Sequence, residues 1–482
     1  MTMKRKTLAS MLWTVGAAAF SEASPAATLD LYVDRKTQQI YAEPGPGRVK
    51  LGTFVQVDET TGAPSAPGTA VIPSAPGAPA AAATTIAAAP AATAENKPAK
   101  PADKKWYDRL SLRGYTQLRY NHGFGAEAGK LRAPGDRFIG DGQSFGIRRA
   151  RLVVSGDITD RVSIYLQPDF ASTPSGSSTS NYGQLRDAYA DIYLDKDREF
   201  RVRAGQSKVP YGWENLQSSQ NRLTPDRADA LNSGVRDERD IGLFFYYTPS
   251  EIRDRFQYLV KSGLKGSGDY GVVGLGVYNG QGANRAERND SLHTVLHVTY
   301  PFKFANGQFL EVGADAYSGR FKGATPTAIT VNGATFTPAD RSPANGMLDQ
   351  RVAVHAIYYP QPFGLQAEWT VGRGPQLDIS RRGIVSKSLR GGYVQAMYKL
   401  DTARFGTLFP YLKWQKYRGA SKFDTNAPFM HLNETEAGVE WQPSSALEIA
   451  VAYANMRRTD VGTAPYGIVK GDLLRLQLQV NY

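Results

Sequence analysis

The chain has 482 residues, 41% of them apolar, with 57 Lys plus Arg against 45 Asp plus Glu and a formal charge of +12. It holds no cysteine, which removes disulfide scaffolds, thiol nucleophiles, zinc ribbons and iron–sulfur clusters. With 11% aromatic and 21% charged residues it is too rich in order-promoting types to be disordered throughout, and its positive balance invites nucleic acid, an anionic membrane surface or small anions.

In chain order, a basic start (Lys4, Arg5, Lys6) is followed by an apolar run from Leu8 to Phe20 and small residues up to Ala26, the pattern of a cleaved export leader over residues 1–26. That run, about 13 residues, falls short of the roughly 20 that a membrane-spanning helix needs, so the leader reading outweighs an N-terminal anchor. Residues 27–58 carry two short alternating stretches around Glu43-Pro44-Gly45-Pro46-Gly47 and read as a small periplasmic segment, either a hairpin or extended chain. Residues 59–105 are Ala, Pro, Thr and Gly almost throughout, a composition that cannot bury a core, and are expected to form a disordered tether. Nothing later has the length and apolarity of a spanning helix, so any membrane insertion must use a closed barrel.

From Trp106 to Tyr482 the pattern changes. In Leu110 to Asn121, the residues Leu110, Leu112, Gly114, Thr116, Leu118 and Tyr120 share one face, and Ser111, Arg113, Tyr115, Gln117 and Arg119 share the other. The same dyad recurs through Arg149 to Asp157, Val162 to Phe170, Leu292 to Tyr300, Phe409 to Tyr417 and many others, ending on Leu474, Leu476, Leu478, Val480 and Tyr482. Including Asp240 to Tyr247 and Arg255 to Gly263 there are about 17 candidates, one away from the even number of a closed antiparallel barrel with both termini on one side, so about 16 strands are expected. Asp157 to Asp160 and Gln442 to Ser445 have the length of tight turns, and Ala171 to Gly183 and Gly319 to Gln350 that of long loops. A soluble β-sandwich also alternates. It demands neither tyrosines at strand ends nor an arginine-rich polar face, both of which suit a water-filled lumen with interfacial girdles.

The segment Arg203 to Asn232, followed by Arg239-Asp240-Ile241-Gly242, resembles the strand-to-loop region of the phosphate-selective porin O and P family. Ile147 to Arg151 and Gly276 to Gly280 are similar to other segments of that family. The resemblance spans residues 106–482. It implies a 16-stranded outer-membrane barrel of a Gram-negative bacterium, a homotrimer, passage of small anions such as phosphate, and an inward-folded third loop as constriction. Leu476, Leu478, Val480 and the terminal aromatic Tyr482 also resemble the signal read by the outer-membrane assembly machinery, although a terminal Phe is the commoner form.

Charge supplies a mechanism. A small anion that loses hydration in a pore is compensated by charge-assisted hydrogen bonds from guanidinium groups, which suit planar bidentate contact with phosphate-like oxygens better than Lys does. Face parity turns Arg113, Arg119, Arg149, Arg151, Arg201 and Arg203 to the lumen, and a bulge near Gly205 would add Gln206 and Lys208. The infolded loop implied by the resemblance would add Arg222 and Arg227. Against this, Asp157, Asp169, Asp187, Asp191 and Asp195 share the inward parity, and a wall so balanced would select by size alone. The stretch from Lys208 to Asp240 is itself about one unit acidic.

Other chemistries have little to stand on. His293 and His297 would pair on a helix but stand about 13 Å apart on a strand, too far to share a metal ion. There is no Gly-x-Ser-x-Gly segment to suggest a hydrolase, the tether lacks the basic and aromatic interleaving of a nucleic-acid binder, and no cofactor motif is present. Two alternatives use the same barrel. One is a sugar, carboxylate or general diffusion pore with Tyr115, Tyr165, Tyr189 and Tyr193 as a track. The other is an envelope tether in which the barrel serves as an anchor for residues 27–105.

Overall fold

The computed structural model describes residues 105–482 except 126, 132–144 and 173–180, together with 28–34, 40–41, 43–46 and 48–55. The expected leader and nearly all of the expected tether therefore lie outside the described residues. The N-terminal segment forms its own antiparallel sheet, with Thr28–Asp34 at the centre between Ile40–Tyr41 and Arg48–Val55.

The alternating segments become a closed antiparallel barrel of 16 long strands. The first six are β1 (Leu110–Phe124), β2 (Phe145–Asp157), β3 (Val162–Ser172), β4 (Tyr182–Tyr193), β5 (Phe200–Lys208) and β6 (Arg239–Tyr247). The next five are β7 (Val273–Tyr278), β8 (His293–Lys303), β9 (Phe309–Phe321), β10 (Met347–Tyr358) and β11 (Phe363–Asp378). The last are β12 (Gly383–Tyr398), β13 (Gly406–Ala420), β14 (Phe429–Ser444), β15 (Leu447–Thr459) and β16 (Ile468–Asn481). Each strand pairs with its neighbour in sequence, and β16 closes the ring on β1 from Asp472 against Phe124 to Asn481 against Tyr115. Closure leaves no unpaired edge, which is the condition for a sheet to cross a bilayer.

The dyad sorts the faces. Val352, Val354, Leu412, Val439 and Val451 point outward and are exposed, while their alternates Ala353, His355, Lys413, Glu440 and Ala452 are buried inside. Tyr300, Phe302, Phe363, Tyr398 and Trp441 ring the turn end of the outer face, where an aromatic girdle meets the membrane interface. Short turns such as 158–161 and 445–446 alternate with loops at the other end, and the 322–346 loop carries a small hairpin, Ile329–Val331 with Ala334–Phe336.

One expected strand is a helix. The third loop, residues 209–238, holds two single-turn helices, α1 (Trp213–Leu216) and α2 (Asp229–Asn232), and the third turn, 248–272, holds α3 (Ser250–Lys261). Arg255 to Gly263 alternates only by overlap with a helical pattern that starts earlier. Ile252, Phe256 and Leu259, four and three apart, form the buried face of α3, and Pro249 stands at the N-cap position just before it. Its removal brings the count to 16.

Candidate functional site

The lumen is organised by the third loop. Gly212, with φ of 82°, turns the chain inward, so that backbone N–H groups at the start of α1 face carboxylates of the far wall. The Gly212 amide donates to Asp315 of β9 at 2.9 Å, and the Trp213 and Glu214 amides donate to Glu368 of β11 at 2.6 and 2.7 Å. Glu214 then accepts from the Lys413 ammonium of β13 at 2.5 Å. Further along, Ser219 shares a 2.6 Å hydrogen bond with Tyr115 of β1, Asp226 pairs with Arg119 at 2.7 Å, Asp229 with Arg458 of β15 at 2.9 Å, and Ser233 accepts from Arg351 of β10 at 2.9 Å. The loop thus crosses the lumen and is fastened to strands on every side.

The near wall, β1 to β6, is rich in arginine, and most of these residues have a carboxylate. Arg151 meets Asp169 at 2.9 Å, Arg203 meets Asp191 at 2.7 Å and Arg201 meets Asp269 of the third turn at 2.6 Å, and within the third loop Arg227 meets Glu238 at 3.0 Å. Burial disfavours the charged Glu238, but Arg227, Arg186 and Arg239 outweigh it and hold its carboxyl well below the usual range. Burial lowers Arg227 to about 9 despite that carboxylate. Asp187 is taken by Arg239 at 2.9 Å. Asp157 pairs with Arg198 at the turn end, and Asp195 lies in a turn, accepting from the Glu199 and Phe200 amides, so it does not balance the lumen wall.

Four of the sequence-predicted cations have no carboxylate partner among the described residues. Arg113 lies exposed, 5.6 Å from the Tyr165 ring centre. Lys208 donates to the Leu216 and Gln217 carbonyls at 2.6 and 3.0 Å. Among the described residues Arg149 donates to Gln117, at 2.6 Å, and Arg222 to the Thr224 and Pro225 carbonyls of its own loop. Arg149 and Arg222 are 4% and 5% exposed, and Arg149 has Arg148, Arg222 and Arg151 as its strongest charged neighbours. Arg149 Nε and Arg222 Nη1 have no hydrogen-bond acceptor among the described residues. Buried guanidinium groups gathered in this way are a site with unmet demand for an anion.

Parity missed two lumen arginines for a local reason. Gln117 faces Arg149 while Leu118 faces Ile147, leaving Arg148 as an extra residue; likewise Asp187 faces Gln167 while Leu185 faces Pro168, leaving Arg186 extra. A bulge adds one residue to one strand and re-aims its side chain, and here both bulged residues are buried arginines. The bulge expected at Gly205 is not a register shift: the ladders run continuously through it on both sides. Its left-handed φ of 125° and the close approach of the Ala188 carbonyl, 2.3 Å from where a Cβ would stand, re-aim the chain instead. Gln206 donates to the Leu185 and Arg186 carbonyls.

The inward tyrosines are engaged. Tyr165 and Tyr189 stack on each other at 5.2 Å, with Arg113 beside the first and Arg203 at 3.9 Å over the second; Tyr193 lies under Arg198. His293 and His297 do not act together, since His297 bonds Asp315 at 2.5 Å. From the turn side, Lys265 reaches Glu440 of β14, and its carbonyl accepts from Gln217 of the third loop at 2.6 Å. Leu476, Leu478 and Val480 of β16 and Tyr482 just after it are exposed on the outer side, and the Tyr482 carbonyl accepts from the Gly114 amide at 2.6 Å.

Comparison with known proteins gives one family. The model of "Phosphate-selective porin O and P" matches residues 118–482. No curated protein matches the chain. Similar solved structures include the outer membrane channel DcaP of Acinetobacter baumannii, at 14% identity and TM-score 0.43, covering 77% of this chain and 97% of that one. Salmonella typhi OmpF in complex with daunomycin aligns at 12% identity and TM-score 0.48, covering 78% and 98%. Pseudomonas putida OprB aligns at 10% and 0.46, covering 78% and 94%.

Proposed function

Because this chain belongs to the phosphate-selective porin O and P family and is an outer-membrane barrel channel, we propose that it conducts small anions, phosphate among them, past a site built on Arg149 and Arg222. The observation that carries the reading is that pair of buried guanidinium groups with open donors and no carboxylate partner among the described residues, set where the third loop meets β2. An anion arriving there exchanges water for charge-assisted hydrogen bonds, and Arg113 and Lys208, without carboxylate partners among the described residues, offer further steps, so occupancy is shared and release stays easy. The paired arginines set shape more than charge. In this reading residues 1–26 direct export, residues 59–105 tether the 27–58 segment on the periplasmic side, Leu476, Leu478, Val480 and Tyr482 serve assembly, and the working unit is a homotrimer in outer-membrane lipid.

The test is the reversal potential of the purified protein in a planar bilayer under a KCl gradient, followed by addition of phosphate to the chloride current. A chloride-directed potential is expected, with phosphate block weakened about tenfold in Arg149→Gln, equivalent to roughly 1.4 kcal/mol. A potential near zero with no phosphate block would refute the reading and favour passage by size alone.

A further inference from the structure

The loop-side mouth holds a second cationic chamber, apart from the constriction. Its volume is about 500 Å³, and its walls come from the end of the third loop, the 279–292 loop and the 421–428 loop. The cations are Arg236, Arg285, Arg288 and Lys422, and Asp424 is the one carboxylate among the described lining residues. Arg285 and Arg288 make no ion pair with a described residue, and Asp424 is occupied by the Ser421 hydroxyl at 2.5 Å. Lys422 is anchored from below by Asp349.

One wall is aromatic. Phe423 meets Phe321 edge to face at 5.2 Å, the Arg236 guanidinium stands 6.0 Å from the Phe423 ring centre and donates to the Phe423 carbonyl at 3.3 Å, and the Lys422 ammonium is 4.7 Å from the same ring. A chamber of this size falls in the range of small-molecule pockets, roughly 300 to 1,000 Å³, and is larger than a bare inorganic phosphate requires. Planar forks suit phosphate oxygens, and cation-flanked rings suit a flat, electron-rich body.

We propose that this chamber is a capture site for phosphate esters that carry an aromatic ring, with Arg285 and Arg288 holding the phosphate and the Phe423 side receiving the ring. The proposal deepens the anion-pore reading and rests on it for delivery into the lumen. Captured esters are concentrated at the mouth before they meet the narrower arginine site.

The test compares phenyl phosphate with inorganic phosphate as blockers of chloride current through the full-length protein in a planar bilayer. Phenyl phosphate is expected to half-block at a concentration at least tenfold lower. Arg285→Gln with Arg288→Gln, two exposed loop changes, should shrink that advantage to within twofold and leave the block by inorganic phosphate in place; Phe423→Leu should shrink it without altering inorganic phosphate. Equal block by both compounds in the native protein, or an advantage that survives the double arginine change, would overturn the capture site. Equal block by both compounds in the native protein, with anion preference intact, counts against this site alone, whereas absence of any anion preference counts against the pore reading.

Discussion

Lys413 and Glu214 offer a direct measure of what holds the third loop in the lumen. Their charged atoms stand 2.5 Å apart, with side chains 4% and 1% exposed. At an effective dielectric of about 20, unit charges at that distance attract by about 7 kcal/mol, an upper bound from which the desolvation of both groups must be subtracted. Removing one partner of such a buried pair costs about 3 to 5 kcal/mol, because the other is left uncompensated. Lys413→Met strands Glu214 beside Glu368, with the Ala228 amide at 2.7 Å as its main remaining donor. The expected loss of about 3 kcal/mol in loop docking should speed hydrogen exchange at the Gly212, Trp213 and Glu214 amides by about a hundredfold. Glu214→Gln together with Lys413→Met should recover much of this, giving a coupling energy of about 2 to 3 kcal/mol. Unchanged exchange in Lys413→Met, or a coupling below about 0.5 kcal/mol, would refute the view that the loop is held by buried charge.

Two further outcomes can be measured. Burial and the neighbouring Asp240 carboxylate raise Glu287 to about 7, while burial lowers Lys422 to about 8 against the pull of Asp349. As pH rises from 6 to 9, Glu287 gains a negative charge and Lys422 loses a positive one, so the chloride-over-potassium permeability ratio should fall, and Glu287→Gln should flatten the part centred near 7. Gly205→Ala places a Cβ 2.3 Å from the Ala188 carbonyl at a φ of 125° and should cost about 1 to 3 kcal/mol, seen as a lower folded fraction in heat-modifiability gels. Gly307→Ala, also at positive φ but with nothing within 4 Å, is the control and should be nearly silent in that assay.

The barrel was legible because alternation is a property of each strand alone. Leu110 to Arg119 displays its two faces whatever surrounds it. Where local pattern and fold part, the cause is non-local or lies in neighbouring residues. Arg255 to Gly263 mimics a strand until Pro249 and Ile252 are included, when the helical spacing of Ile252, Phe256 and Leu259 appears. Arg148 and Arg186 have the wrong parity for the lumen and reach it only because a bulge inserts them, a feature set by two strands together. The pairing of Arg201 with Asp269 depends on a turn folding inward, and the pairing of Asp229 with Arg458 joins positions 229 apart. Charge counts could show that acids and bases share the lumen. They could not show that Arg149 and Arg222 are the buried pair left without a carboxylate among the described residues.

The fastening of the third loop also orders assembly in time. Glu214 waits for Lys413, 199 positions later, and Asp229 waits for Arg458 near the end of the chain. Contacts that close such long intervals bear a large entropic penalty until intervening strands bring their ends together. A barrel that stops short of β13 therefore offers the loop only its earlier partners, Tyr115, Arg119, Asp315, Arg351 and Glu368, and docking stays incomplete until the last strands close. The filter is fitted last, so damage confined to the loop should reach the membrane as a leaky channel instead of being stopped as a misfolded chain.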